Sequence, residues 1–149
     1  MAKVISRFSV SSKSDEVNFL DVAASLPNSY KKLIQKGHPV ILNNGKNTGR
    51  IHKESSISYE YVFEDVVDVQ VCNEHWMESW KGDLTSLETL TTRKHILFHL
   101  DYELTIYDGS YPVLYFYPEF MSVLSRLNII LSFDVYHDSK TESPAWLNK

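Results

Sequence analysis

From Val4 to Val10 the chain alternates: Val4, Ser6, Phe8 and Val10 fall on one side, Ile5, Arg7 and Ser9 on the other. A period of two is the spacing of a strand with one buried face. Phe19, Val22, Ala23 and Leu26 then fall at i, i+3, i+4 and i+7, one face of a helix. Ser14 or Asp15 is its candidate cap and Pro27 its stop. The next stretch is weaker. Tyr30, Leu33 and Ile34 suggest a further helical turn, and 40–42 a short strand. Residues 43–49 read as a loop, because Asn and Gly tolerate positive φ.

Strand spacing returns over 59–72. Tyr59, Tyr61 and Phe63 alternate with Glu60, Val62 and Glu64, and Val67, Val69 and Val71 with Asp68, Gln70 and Cys72. Glu64-Asp65 marks a bulge or a turn between two strands. Leu84, Leu87, Leu90, Leu97 and Leu100 predict the longest helix, over 84–100, capped by Asp83. Tyr102, Leu104 and Ile106 predict a strand, and Asp108-Gly109 a hairpin into a second strand at 113–117. Pro118 opens a helix with Phe120, Val123, Leu124 and Leu127 on one face, and Asn128 ends it. Ile129, Leu131, Phe133 and Val135 form the inward side of a last strand.

Half-polar strands predict an α+β fold: a mostly antiparallel, mixed sheet with helices packed on one face. The strand–helix–strand of 113–136 is expected to be a crossover between two parallel strands. Residues 1–138 read as one α+β domain. Residues 139–149 read as a polar tail, which Trp146 could dock onto the body.

The composition suits a packed core. The 149 residues are 43% hydrophobic and 13% aromatic, and a domain of this length buries roughly 70% of its unfolded surface. A net charge of −4 argues against a general nucleic-acid binder. Cys72 is alone, which excludes an internal disulfide and fits a reducing compartment. No secretory h-region and no membrane-spanning run is visible, so the expectation is a cytoplasmic protein. The charge is unevenly placed. Lys31, Lys32, Lys36, Lys46, Arg50 and Lys53 run without an acid between them; Glu54, Glu60, Glu64, Asp65, Asp68, Glu74 and Glu78 follow without a base. Such a switch makes two oppositely charged regions, or two segments that pair with each other.

Candidate chemistry is sparse. On the predicted helix, His95 and His99 at i, i+4 share a face and suit zinc, with Asp101 or Glu103 as an oxygen ligand. The glutamate of H-E-x-x-H is missing. Cys72 and His75 form a second, weaker pair. There is no G-x-S-x-G elbow, and the NGKNTGR run lacks the G-K-[ST] ending of a phosphate loop. Tyr107, Tyr111, Tyr115 and Tyr117 can stack on bases, anchor a protein, or cover the sheet's second face. Trp76 and Trp80 are core plugs or an exposed anchor pair.

Several segments carry a resemblance: RFSVSS at the start, Lys36-Gly37, Thr48 to Arg50, Pro118-Glu119-Phe120, Leu124 to Leu127, and Asp134-Val135-Tyr136. In these the chain resembles a family of small bacterial α+β domains of unknown function linked to toxin–immunity systems. It departs from that pattern after the basic loop, where Tyr59 and Tyr61 stand instead of an early tryptophan. The resemblance implies a non-enzymatic immunity protein that binds and neutralises a cognate toxin, with no catalytic residue, cofactor or metal. Many such toxins are basic nucleases, for which an acidic surface is complementary. The expected partner-binding residues are Glu60, Glu64, Asp65, Asp68, Glu74 and Glu78, with Trp76 or Trp80 as anchor. The alternatives are a small metal-dependent enzyme using His95 and His99, and a ligand- or nucleic-acid-binding module using the Asn/Gly/Lys loop and the tyrosines.

Overall fold

The alternation at 4–10 is the middle of a longer central strand, β1 (Ala2–Ser12), in which every second residue from Ala2 to Ser12 is buried. In the computed structural model, which describes residues 1–26, 28–93 and 95–138, it is followed by α1 (Phe19–Ser25), β2 (Lys32–Ile34), β3 (Pro39–Ile41), β4 (Asn47–Ile51) and β5 (Ser55–Val66). Then come α2 (Gln70–Trp80), α3 (Leu84–Thr91), β6 (Leu97–Ile106), α4 (Pro118–Arg126) and β7 (Ile129–His137). The main sheet has the order β2-β5-β1-β6-β7, and β3 and β4 pair separately as a hairpin. All its pairings are antiparallel except β6 with β7. The fold is thus α+β with a mixed sheet, as the half-polar strands predict. The expected tail, including Trp146, lies outside the described residues.

One face of the sheet is covered. Phe8, Tyr59, Phe98, Leu100 and Tyr102 meet Phe19, Trp76, Trp80, Leu87 and Phe120 from the four helices in one core cluster. Phe8 is its hub, with ring centroids 5.1 Å from Trp80, 5.5 Å from Trp76 and 5.9 Å from Phe98. Burying an indole removes about 150–250 Å² from water, worth about 5 kcal/mol by area. The indole N–H groups of Trp76 and Trp80 and the Tyr59 hydroxyl lack a hydrogen-bond partner among the described residues. An orphaned group costs about 1–3 kcal/mol, so burial prevails. One polar pair in this core is satisfied: the Tyr102 hydroxyl donates to Asn73 Oδ1 at 2.7 Å and ties α2 to β6.

The structure departs from the sequence expectations in several places. Leu33 and Ile34 belong to strand β2, on the edge of β5, and not to a helical turn. Three of the seven residues of the expected loop at 43–49 belong to strand β4; Gly45, at φ 82°, makes the turn. Asn18, and not Ser14 or Asp15, caps α1, its side chain accepting from Leu20 N–H at 2.9 Å. The valine alternation at 67–72 is not a strand. Val69, Cys72, Trp76 and Trp80 are buried at helical spacing, and Val71 is exposed. The predicted helix over 84–100 ends at Thr91. Phe98 and Leu100 belong instead to the period-two series that continues through Tyr102, Leu104 and Ile106. Residues 113–117 make only an isolated bridge, Val113 with Asp68. The parallel crossover therefore starts from β6, and α4 returns the chain to β7 beside it. Asn128, at φ 50°, ends α4 as expected.

Two outcomes follow from the core. Tyr102→Phe leaves Asn73 without its donor and should lower unfolding free energy by about 1–2 kcal/mol in urea titration. Burial raises the Cys72 thiol from 9.0 to about 12 and the Tyr59 phenol from 10.0 to about 12. Only the unfolded chain then ionises between these limits, so the native state holds more protons. Stability should stay level below about pH 9 and fall as pH rises above it. Denaturant titrations from pH 7 to 11 would read this, and Cys72→Ala should delay the onset.

Candidate functional site

Rotation of α2 about its axis decides which side chains reach solvent. Cys72, Asn73, Trp76 and Trp80 face the sheet. Glu74 and Glu78, two residues away from the tryptophans, are turned by roughly 200° and stand outward. With the start of α4 they form a groove of about 920 Å³, whose apolar floor includes Phe63, Val71, Met77, Tyr117 and Phe120. Its rim carries Glu74, Glu78, Glu119 and Lys81. A second groove of about 670 Å³ continues it between α2 and the end of β5, along Val62, Glu64, Asp65, Val67 and Asp68. The two share Phe63, Gln70, Val71 and Glu74. Here β5 has run beyond β2, which pairs only with Ser56 to Ser58.

Each acid has a distinct local setting. Glu64 and Asp65 sit at a bulge: Val4 pairs with Phe63, but Ala2 pairs with Val66, so β5 gains a residue. Asp65 takes φ 54° to make it. Asp68 accepts from Gln70 N–H at 2.9 Å at the start of α2, where helix polarity favours a carboxylate. Glu74 accepts from the Gln70 amide at 3.2 Å. Glu78 pairs with Lys81 at 2.7 Å, and Glu64 reaches Lys3 at 3.6 Å. Asp65, Glu74 and Glu119 have no cationic partner among the described residues.

Three of the expected site residues lie elsewhere. Trp76 and Trp80 are 3% and 0% exposed and cannot touch a partner. Glu60 is on the sheet's open face, where it accepts from Arg7 Nε at 2.9 Å and lies 3.7 Å from Lys31. That ion pair is the link, among the described residues, between the lysine-rich and acidic segments; Lys36 pairs instead with Asp15. Phe63 and Glu119 join the groove without any signal in the sequence, and Tyr117, one of the tyrosines able to anchor a protein, lines it as well. Of the roles open to Tyr107, Tyr111, Tyr115 and Tyr117, covering the sheet's second face is the one that fails, because all four are exposed in the segment between β6 and α4. Tyr115 and Tyr117 meet edge-on at 4.8 Å, and the Tyr115 carbonyl accepts from the Asn73 amide at 3.4 Å. The exposed aromatic beside the acids is thus at 117 and not at 76 or 80.

The metal reading loses its helix. His95 lies in the turn after α3, and His99 lies on β6 with Nε2 2.6 Å from Ser132 Oγ. Ser132 donates to Asp101 Oδ1 at 2.6 Å, so it accepts from His99. This is the reverse of the order that activates a serine. The row continues to Arg7, which donates to Glu103 at 2.8 Å; Glu103 and then Glu60 hold its guanidinium above its ordinary pKa. Among the described residues no three His, Cys, Asp or Glu side chains gather in a metal-holding group. No described helix is long and apolar enough to cross a membrane.

No protein-family model matches the chain, and no curated protein or solved structure matches it.

The bulge offers a check on how the second groove is built. An L-residue held at positive φ costs about 1–2 kcal/mol, least for Asp, Asn and Gly. Asp65→Gly should keep or slightly raise the melting temperature. Asp65→Val should lower stability by about 1–2 kcal/mol, read by thermal unfolding.

Proposed function

We propose that the protein is a non-enzymatic immunity protein, which binds a cognate toxin through the acidic double groove and blocks it. The observation that carries this reading is the lining of that groove: Glu64, Asp65, Asp68, Glu74, Glu78 and Glu119 stand around an apolar floor with one lysine, Lys81. An apolar centre with a charged rim is the anatomy of a protein-docking site. Its sign fits a basic partner, such as a nuclease domain, and a field of one sign speeds encounter. Tyr117 is the anchor, since a rigid aromatic in a pocket carries more binding energy than rim charges do. The family resemblance supplies the immunity role, and the lone Cys72 fits the cytoplasmic location expected from the sequence.

The test is co-expression with a toxin domain encoded beside its gene or, where none is encoded there, with the protein that co-purifies with it from the native host. Protection is expected from the wild type. Glu74→Lys, Glu78→Lys and Glu119→Lys together should slow association by about tenfold or more and flatten its salt dependence. Tyr117→Ala should speed dissociation, at a cost of about 2 kcal/mol. Protection unchanged in the triple variant, or absent in the wild type, would overturn the proposal.

A further inference from the structure

The two ends of the sheet are protected unequally. At one end β2 is three residues long and is preceded by Lys31. Past it, the free edge of β5 carries Glu60, Glu64 and the bulge at Asp65. Short strands, charges and bulges are the devices that stop an edge from pairing with another chain. At the other end β7 runs for nine residues in unbroken register with β6, and it contains no Lys, Arg or Pro. No described strand pairs with its outer edge. Ile130, Val135 and Tyr136 on it are 54%, 47% and 54% exposed.

Over residues 130–136 the order of side chains on β7 is palindromic in character about Phe133, and only the outermost pair of the strand, Ile129 with His137, sets apolar against polar. Consider two copies of β7 laid antiparallel and centred there. On the open face, Ile130 meets Tyr136 of the second copy, and Ser132 meets Asp134 of the second copy. On the core side, Leu131 meets Val135 of the second copy, and Phe133 meets itself. Apolar lies on apolar and polar on polar at each of these positions. A slip of two residues one way sets Ile130 against Asp134; the other way sets Asp134 against Asp134, which repels. A slip of one residue exchanges the two faces. A two-fold axis makes every such contact twice except that of Phe133, which lies on the axis, and this is the usual form of a homodimer.

We infer that the protein self-associates through β7, edge to edge about a two-fold axis at Phe133, so that two five-stranded sheets run on as one. β7 contributes no residue to either groove, so this association leaves the docking surface open. It goes beyond the proposed function and does not rest on it.

Sedimentation velocity over a concentration series tests the inference on the full chain. The wild type should pass from monomer to dimer. Ile130→Lys with Tyr136→Lys places like charges opposite each other twice and removes two apolar pairs; it should raise the dimer Kd by roughly tenfold or more. Ile130→Lys with Tyr136→Glu sets opposite charges face to face and should recover most of the loss. Both positions are exposed, and circular dichroism reads whether each variant keeps its fold. A wild type that stays monomeric throughout, or a Lys/Lys variant that dimerises as the wild type does, would overturn the inference. A Lys/Glu variant no tighter than Lys/Lys would overturn it too, because the register carries it.

Discussion

The burial of Trp76 and Trp80 against Phe8 and Tyr59 is the constraint on which the candidate site depends. Trp80 stands edge-on to Tyr59 at 4.9 Å and to Phe8 at 5.1 Å. Two indoles in this position fix the rotation of α2, and a rotation fixed on one side is fixed on the other. Glu74 and Glu78 are presented outward because the tryptophans are held inward. The same helix positions its neighbours. Asn73 faces inward beside Trp76, accepts a hydrogen bond from the Tyr102 hydroxyl, and donates one to the Tyr115 carbonyl. Phe120 packs on Trp76 at 6.0 Å and brings the first turn of α4 to the groove. The core therefore places the rim, although no core residue enters the groove as an anchor.

Much of this was legible wherever one period ran undisturbed. β1 and α4 follow their patterns, because each buries a single face against the same core. The reading failed where two periods overlap. Val67, Val69 and Val71 alternate by chance, while Val69, Cys72, Trp76 and Trp80 repeat at helical spacing through the same residues. The indoles outweigh the valines, since each buries far more area, and the helix results. Leu97 and Leu100 likewise extend the helical leucine series on paper. Phe98 and Leu100 belong to the strand, since alternate burial runs on unbroken to Ile106. The identity of α2 matters for the site: strand spacing over 67–72 with no element assigned to 73–83 leaves the tryptophans and the acids looking like one surface. As a helix, their offset of two residues puts them on opposite sides.

The acids divide by what surrounds them. On the open face Glu60, Asp101 and Glu103 gather around Arg7, and Ser132 and His99 extend the row. These groups are half-exposed, so each pair contributes modestly; together they fill the centre of the face with matched charge. In the grooves the acids are left largely unmatched. Self-repulsion among them costs stability, and the bulge at Asp65 adds strain. Neither the strain nor the unmatched charge supports the fold itself. The two surfaces draw on one acidic stretch of sequence. Alternation along β5 sends Glu60 to the side where Arg7 waits. The bulge then turns the strand, and the acids that follow line a groove holding one lysine. A charge run that reads as one patch in the sequence is split by strand geometry into a part matched by Arg7 and a part left largely unmatched.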